Sequence, residues 1–294
     1  MARFRRVPAA AWRAFFLGAS LAAVPPLPAG PAPTTRPPDL AQFGAPDPAE
    51  GRKALEQMRR QGVAGNYYLE FQLRVMPRRG EERRIAARLW GGRNDEGPLT
   101  RVSLGAGADE RRLLIQNGPR SAVWRWSAAD RRVGQLGVRA LFEPVMPGAD
   151  ITAFDLQMPF LYWDDFSYEG LTRFRGRPAH VIVLRPPPEF AAQHPALAGV
   201  RVHLDTQFNA LVQTELLGLG GAVTKTLSLV DLKKVGDQWI PRTFDIRDDA
   251  TRNKTRFDVS AAALGLEFSR LLFEPAQLDD DVRPPAAALV RFGP

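Results

Sequence analysis

Between positions 69 and 75 the chain alternates strictly: Leu69, Phe71, Leu73 and Val75 are apolar, and Glu70, Gln72 and Arg74 between them are polar. A period of two predicts a β-strand with one buried face. Weaker alternation predicts further strands at 84–90, 99–104, 111–116, 121–126, 168–175, 179–185, 200–205, 211–217, 223–233, 239–246 and 254–259. Asn117-Gly118-Pro119, Gly176-Arg177-Pro178 and Val235-Gly236-Asp237 supply turn signals between them. Short turns joining alternating strands predict an antiparallel sheet packed on one face. No repeated alternation of strand and helix occurs, which excludes doubly wound and barrel α/β architectures.

One amphipathic helix is legible before the first strand. Asp47-Pro48-Ala49-Glu50 places a capping residue, a proline at the first helical position and an acid that can bond back to the cap. Ala54, Leu55 and Met58 then share a face, and Gly62 ends the pattern. Two stretches break the strand rhythm: 145–165, apolar and containing Pro147 and Pro159, and 186–198, opened by Pro186-Pro187-Pro188. Long breaks in a compact domain are functional or disordered. The first is too apolar to be disordered and is expected to cover something.

The N-terminus reads differently. Arg3, Arg5, Arg6 and Arg13 precede an apolar run at 14–24, and small residues and prolines follow. A basic start, a short apolar stretch and a small-residue region is the layout of a cleavable secretory signal, and the run is shorter than the ~20 residues a membrane span needs. The expected organisation is a signal peptide at 1–30, a flexible leader at 31–46, a β domain at 47–278 and an unstructured tail at 279–294. The expected location is the periplasm. Removing the first 30 residues takes the net charge from +8 to +4. The chain has no cysteine, so it can carry neither disulfides nor a lipidated N-terminal cysteine.

Candidate chemistry is sparse. His203 and Asp205 share a strand face with His180 on a neighbouring strand, but zinc would need a further firm ligand, and the histidines, His194 included, read as surface residues on the polar side of strands. Asp279-Asp280-Asp281 lacks the glycine and distal glutamate of a calcium loop. The glycines at 218, 220 and 221 before Lys225 resemble a phosphate loop only loosely, since Thr224 stands where a glycine is required, and a hairpin loop is the better reading. No nucleophile elbow, zinc-protease helix or triad order is visible. No cofactor, metal site or catalytic residue is assigned.

Aromatic residues carry more information. Phe160, Tyr162, Trp163, Phe166 and Tyr168 cluster in and after the first break segment, and Trp124 and Trp126 share one strand face. Such residues form either an ordinary core or a movable lid and wall over an apolar cavity. All seven are expected to line that cavity.

The segment Phe160-Leu-Tyr-Trp-Asp-Asp165-Phe166-Ser167-Tyr168-Glu169-Gly170-Leu171 resembles a signature of the outer-membrane lipoprotein-sorting protein family, in its LolA-like uncharacterised branch. There a second acid stands where this chain has Gly170. The resemblance extends more loosely through a strand ending on Asp205, one bearing Lys225 and one led by Trp239-Ile240-Pro241. It implies a mainly β fold with a few helices: a curved, incompletely closed antiparallel sheet, or half-barrel, with a helical and loop lid on its concave face. It further implies a non-enzymatic periplasmic carrier that holds acyl chains of lipoproteins or lipids. Its partners would be an inner-membrane donor and an outer-membrane acceptor, with no nucleic acid. Two other roles share the same features, an envelope sensor or scaffold that binds lipid without transport, and an envelope hydrolase.

Overall fold

The computed structural model describes residues 45–286 and 289–293. The expected signal segment lies outside them, as does the leader up to residue 44. Helix α1 (Pro48–Arg60) is capped by Asp47, whose carboxylate accepts from the Ala49 N–H. The strands β1 (Asn66–Met76), β2 (Arg83–Asn94), β3 (Gly97–Leu104), β4 (Arg111–Gln116), β5 (Ala122–Ser127) and β6 (Val133–Gln135) follow. A largely non-strand stretch then holds α2 (Val138–Leu141), α3 (Ala153–Gln157) and a 3-10 turn at Pro159–Tyr162. The second run is β7 (Phe166–Phe174), β8 (Arg177–Leu184), α4 (Pro188–Gln193), β9 (Gly199–Asp205), β10 (Leu211–Leu217), β11 (Val223–Val235), β12 (Gln238–Asp248) and β13 (Lys254–Leu266). A two-residue β14 (Val290–Arg291) pairs with β13.

All strands form one antiparallel sheet in the order β6-β5-β4-β3-β2-β1-β13-β12-β11-β10-β9-β8-β7. The two edge strands, β6 and β7, are consecutive in sequence but do not pair. Laid flat, twelve intervals of about 4.8 Å would put them nearly 60 Å apart. Instead Val123 on β5 and Ile182 on β8 belong to one buried cluster with Ala54 of α1 and Phe154 of α3. The sheet is therefore strongly curved, open along the β6/β7 seam, with its helices on the concave side. This is the expected half-barrel.

Alternation decides which side chains reach that interior. Leu69, Phe71, Leu73 and Val75 of β1 lie in the cluster, as do Val200, Val202 and Leu204 of β9. The β7–β8 hairpin turns on Arg175 and Gly176, with φ of 47° and 83°. Positive φ at both central residues is the two-residue turn that matches strand twist, so the turn sits one residue earlier than the sequence suggests. The glycine-rich stretch before Lys225 is the β10–β11 hairpin loop, as expected.

The convex side carries a second cluster, which corrects two expectations. Leu114, Trp126 and Leu278 are buried together, with Trp124 and Phe273 packed on them. Arg101, only 2% exposed, donates to the carbonyls of Leu272, Gln277, Leu278 and Asp280. Burial, with Arg112 beside it, brings its pKa down to about 10. Arg112 lies 4.2 Å from the Trp126 ring centre and bonds the Asp279 carbonyl. The stretch from 279, expected as a loose tail, is thus tied down at Asp279 and Asp280, and again at β14. Three consecutive acids suggested a solvated segment, but Arg112 and Arg101 of the sheet hold the backbone oxygens of Asp279 and Asp280.

Replacing Arg101 by Met strands four carbonyls that share one buried guanidinium. Urea unfolding should show a loss of about 2–4 kcal/mol. Unchanged stability would mean that water serves those carbonyls.

Candidate functional site

The chain must cross the open seam between β6 and β7, and residues 136–165 make that crossing. Locally the crossing is specified by a capping box: Thr152 Oγ1 accepts from the Asp155 N–H, while the Asp155 carboxylate accepts from the Thr152 N–H and hydroxyl. Asp155 also meets Lys225 of β11 at 2.8 Å, and both side chains are buried. The preceding loop is held by Asp150, whose carboxylate accepts from Thr251 and Thr255. On the other side, Arg59 of α1 donates to the carbonyls of Leu161 and Trp163, and its pKa is lowered by burial. Asn117 donates to the Gln157 carbonyl. These polar contacts register a covering segment whose apolar side chains, among them Ile151, Phe154 and Phe160, are buried in the sheet's own core.

Beneath these contacts lies an aromatic plug. Phe142 stacks on Phe154 at 4.5 Å, Phe154 tilts against Phe160 at 5.6 Å, and Trp163 meets Phe190 edge-on at 5.2 Å. Such offset and edge contacts are the favoured ring geometries. Phe160 and Trp163 were expected from sequence; Phe142, Phe154 and Phe190 were not. Thr152-Ala-Phe-Asp155 is a capping signature that would have announced α3 and Phe154.

Above the plug a cleft of about 690 Å³ opens at the seam. One wall comes from Ala122 and Val123 of β5, Gln135 of β6, and Leu136, Val138 and Leu141. The other comes from Asp164, Asp165, Arg185, Glu189 and Phe190, with Gln157, Tyr162 and Trp163 along the inner side. The cleft thus lies between β5 and β6 on one side and the residues that lead into β7 and out of β8 on the other.

Of the seven expected cavity residues, Tyr162 and Trp163 reach this cleft. Burial raises the Tyr162 pKa. Phe160 is 1% exposed and sits within the plug. Tyr168 packs against α1, where a side chain on Gly51 would come within 2.7 Å of it, and its hydroxyl is 2.8 Å from His180 Nδ1. Phe166 lies under the Arg52 guanidinium. Trp124 and Trp126 do not contribute a wall. They alternate with Val123, which faces the interior, and so occupy the convex face.

The histidines also depart from the surface reading. His194 stacks on Phe142 at 3.7 Å, and both ring nitrogens of His203 are buried without a hydrogen bond, Nε2 lying 3.9 Å from the Glu215 carboxylate. Burial lowers the pKa of His180, His194 and His203. Among the described residues no group of His, Asp or Glu is arranged to hold a metal.

The architecture is an open antiparallel half-barrel with a covering segment across its mouth. Residues 106–280 match a family described only as an uncharacterized protein, and this chain belongs to that family. The fold is similar to an outer membrane lipoprotein-sorting protein domain from Vibrio parahaemolyticus. That match has a TM-score of 0.68 and 17% identity, over 79% of this chain and 97% of the other. A DUF1329 family protein from Desulfovibrio piger matches with TM-score 0.68 and 14% identity, over 80% of this chain and 100% of the other. A LolA superfamily protein from Nitrosomonas europaea matches with TM-score 0.57 and 13% identity, over 76% and 96%. The curated proteins include no match to this sequence. The fold expected from the 160–171 signature is thus the one observed.

Two outcomes follow from the site's electrostatics. Asp155→Ala leaves Lys225 buried and unpaired, and should cost about 3–5 kcal/mol in urea unfolding, whereas Asp155→Leu with Lys225→Met should restore most of it. A double variant as unstable as the sum of the single ones would show that the pair is not coupled. The lowered histidine pKa values mean that the unfolded chain binds protons more readily than the folded one. Stability is then present above about pH 6.5 and falls as the pH drops below it. The melting temperature should decline from pH 7 to pH 5, and His203→Phe should flatten the decline; an unaltered slope in that variant would take His203 out of the account.

Proposed function

We propose that this chain is a periplasmic carrier that holds acyl chains of lipoproteins or lipids in the seam cleft, for outer-membrane lipoprotein sorting. The observation that carries the reading is the cleft itself. It lies where the sheet fails to close, has Val138, Leu141, Trp163 and Phe190 on its walls, and falls within the roughly 300–1,000 Å³ usual for small-molecule sites.

The physics suits reversible holding. Each methylene withdrawn from water contributes about 0.8 kcal/mol, so an acyl chain binds through many small increments rather than one strong contact. The unsealed seam lets a linear chain enter lengthwise. To bury more of it the plug must shift, and the plug is fastened by Asp155–Lys225 and by Arg59 rather than by backbone pairing. The fold likeness to a lipoprotein-sorting domain supports the ligand class, and the basic, apolar start at 1–30 supports export with cleavage of that segment. In this reading the protein takes its cargo from an inner-membrane donor and delivers it to an outer-membrane acceptor, and it performs no catalysis.

Binding of a fluorescent acyl probe tests the proposal. The wild type should bind it, Trp163→Ala should weaken binding at least about tenfold per folded molecule, and Trp126→Ala should cost about 3 kcal/mol of stability with affinity intact. A wild type that binds no acyl probe would remove the carrier reading, and loss of affinity in Trp126→Ala alone would move the site to the convex face.

A further inference from the structure

The sheet parts between β12 and β13. Among the described residues these strands pair from Thr243 with Asp258 to Arg247 with Lys254, and no further. Beyond that point residues 238–242 stay with β11 and residues 259–266 stay with β1, so the two arms face each other across a fork.

The chain's own C-terminal strand occupies the fork. Arg291 and Val290 of β14 pair with Ala261 and Ala262, and the Phe292 N–H donates to the Ser260 carbonyl at 2.8 Å. The Phe292 side chain packs against the main core cluster, with Lys233 6.0 Å from its ring centre. Arg242 of the β12 arm donates to the Gly293 carbonyl at 2.6 Å, and Arg291 stands 3.5 Å from Glu70. β14 thus displays what the fork accepts: an extended backbone, one aromatic side chain on the core, a carbonyl for Arg242 and a cation for Glu70. It fills the fork thinly. It has two residues, while the facing arms run for five and eight. Val290 is 46% exposed, and an exposed pair such as Arg291–Glu70 contributes little. Trp239, 60% exposed, stands on the β12 arm opposite Lys234. A strand edge is a template for another strand, and an exposed Trp is the kind of side chain that anchors protein interfaces.

We propose that the β12–β13 fork is a docking site for an extended segment of a partner protein, which adds a strand in place of β14. That segment carries an aromatic residue where Phe292 lies and a basic one where Arg291 lies. The site is separate from the seam cleft and does not depend on acyl binding. Arg101 still holds Asp280 when β14 leaves, so the displaced strand stays tethered nearby and competes with the incoming one at high local concentration.

A fluorescent peptide with the sequence of residues 286–294 tests this by anisotropy. It is titrated against the full chain, a chain ending at residue 288, and the full chain carrying Phe292→Ala. The shortened chain, freed of its tethered competitor, should bind at least about tenfold more tightly than the full chain, with Phe292→Ala between them. A peptide carrying the same Phe292→Ala change should bind the shortened chain at least about tenfold less tightly, the loss of one anchoring aromatic. Circular dichroism confirms folding, and Phe292→Ala in the full chain decides the matter if the shortened chain does not fold. Equal binding by all three chains, indifference to the peptide's aromatic residue, or no binding at all would overturn the inference. A full chain that forms a dimer on size exclusion, lost when β14 is removed, would give the fork to a second copy and overturn it as well.

Discussion

The structure depends on one constraint: a thirteen-strand path curves far enough to share a core, yet its end strands β6 and β7 do not pair. A closed barrel would have satisfied its edges and filled its own interior. An open one must bury its concave face with material from outside the sheet. Here α1 supplies part of that cover, and residues 136–165 supply the rest because the chain has to cross the seam to get from β6 to β7. The same crossing that covers the core also leaves the cleft at its margin. Fold and site are therefore consequences of one topological fact.

That crossing is held in a manner unlike the sheet. Strand pairing is continuous and cooperative, while the cover packs Ile151, Phe154 and Phe160 into the shared core and is registered there by the buried Asp155–Lys225 pair, by Asp150 with its two threonines, and by Arg59 reaching two carbonyls. A buried ion pair contributes little net stability, because desolvation offsets much of the attraction, but it fixes register and is costly to half-break. Such fastening suits an element with two positions. Closed, its charges are mutually satisfied. On the convex face, Arg101 and Arg112 clamp the C-terminal stretch over Trp126 and Leu278.

Much of this was readable from residue order, for identifiable reasons. The strands were legible because one face is buried and the other wet, so Leu69 through Val75 alternate. Helix α1 was legible because its cap and first-turn proline are local signals. The half-barrel itself came from the resemblance at 160–171, since alternation says that a sheet has an inner face without saying how far it bends. The short helices α2, α3 and α4 were missed, since each has at most six residues and leaves little periodicity to detect. Assigning Trp124 and Trp126 to the cavity failed for a different reason. Sharing a face is visible in sequence, but which face is inward is not, and an unforeseen C-terminal cover made the outer face apolar too.

The central claim is that acyl chains enter at the seam between β6 and β7 and nowhere else. Photocrosslinking with a diazirine-bearing fatty acyl chain, followed by peptide mapping, addresses it directly. The account predicts label on residues 118–123, 135–141, 157–165 and 185–193, which line the cleft. Label on Trp124 and Trp126 together with 270–281, or spread evenly over the sheet, would contradict it.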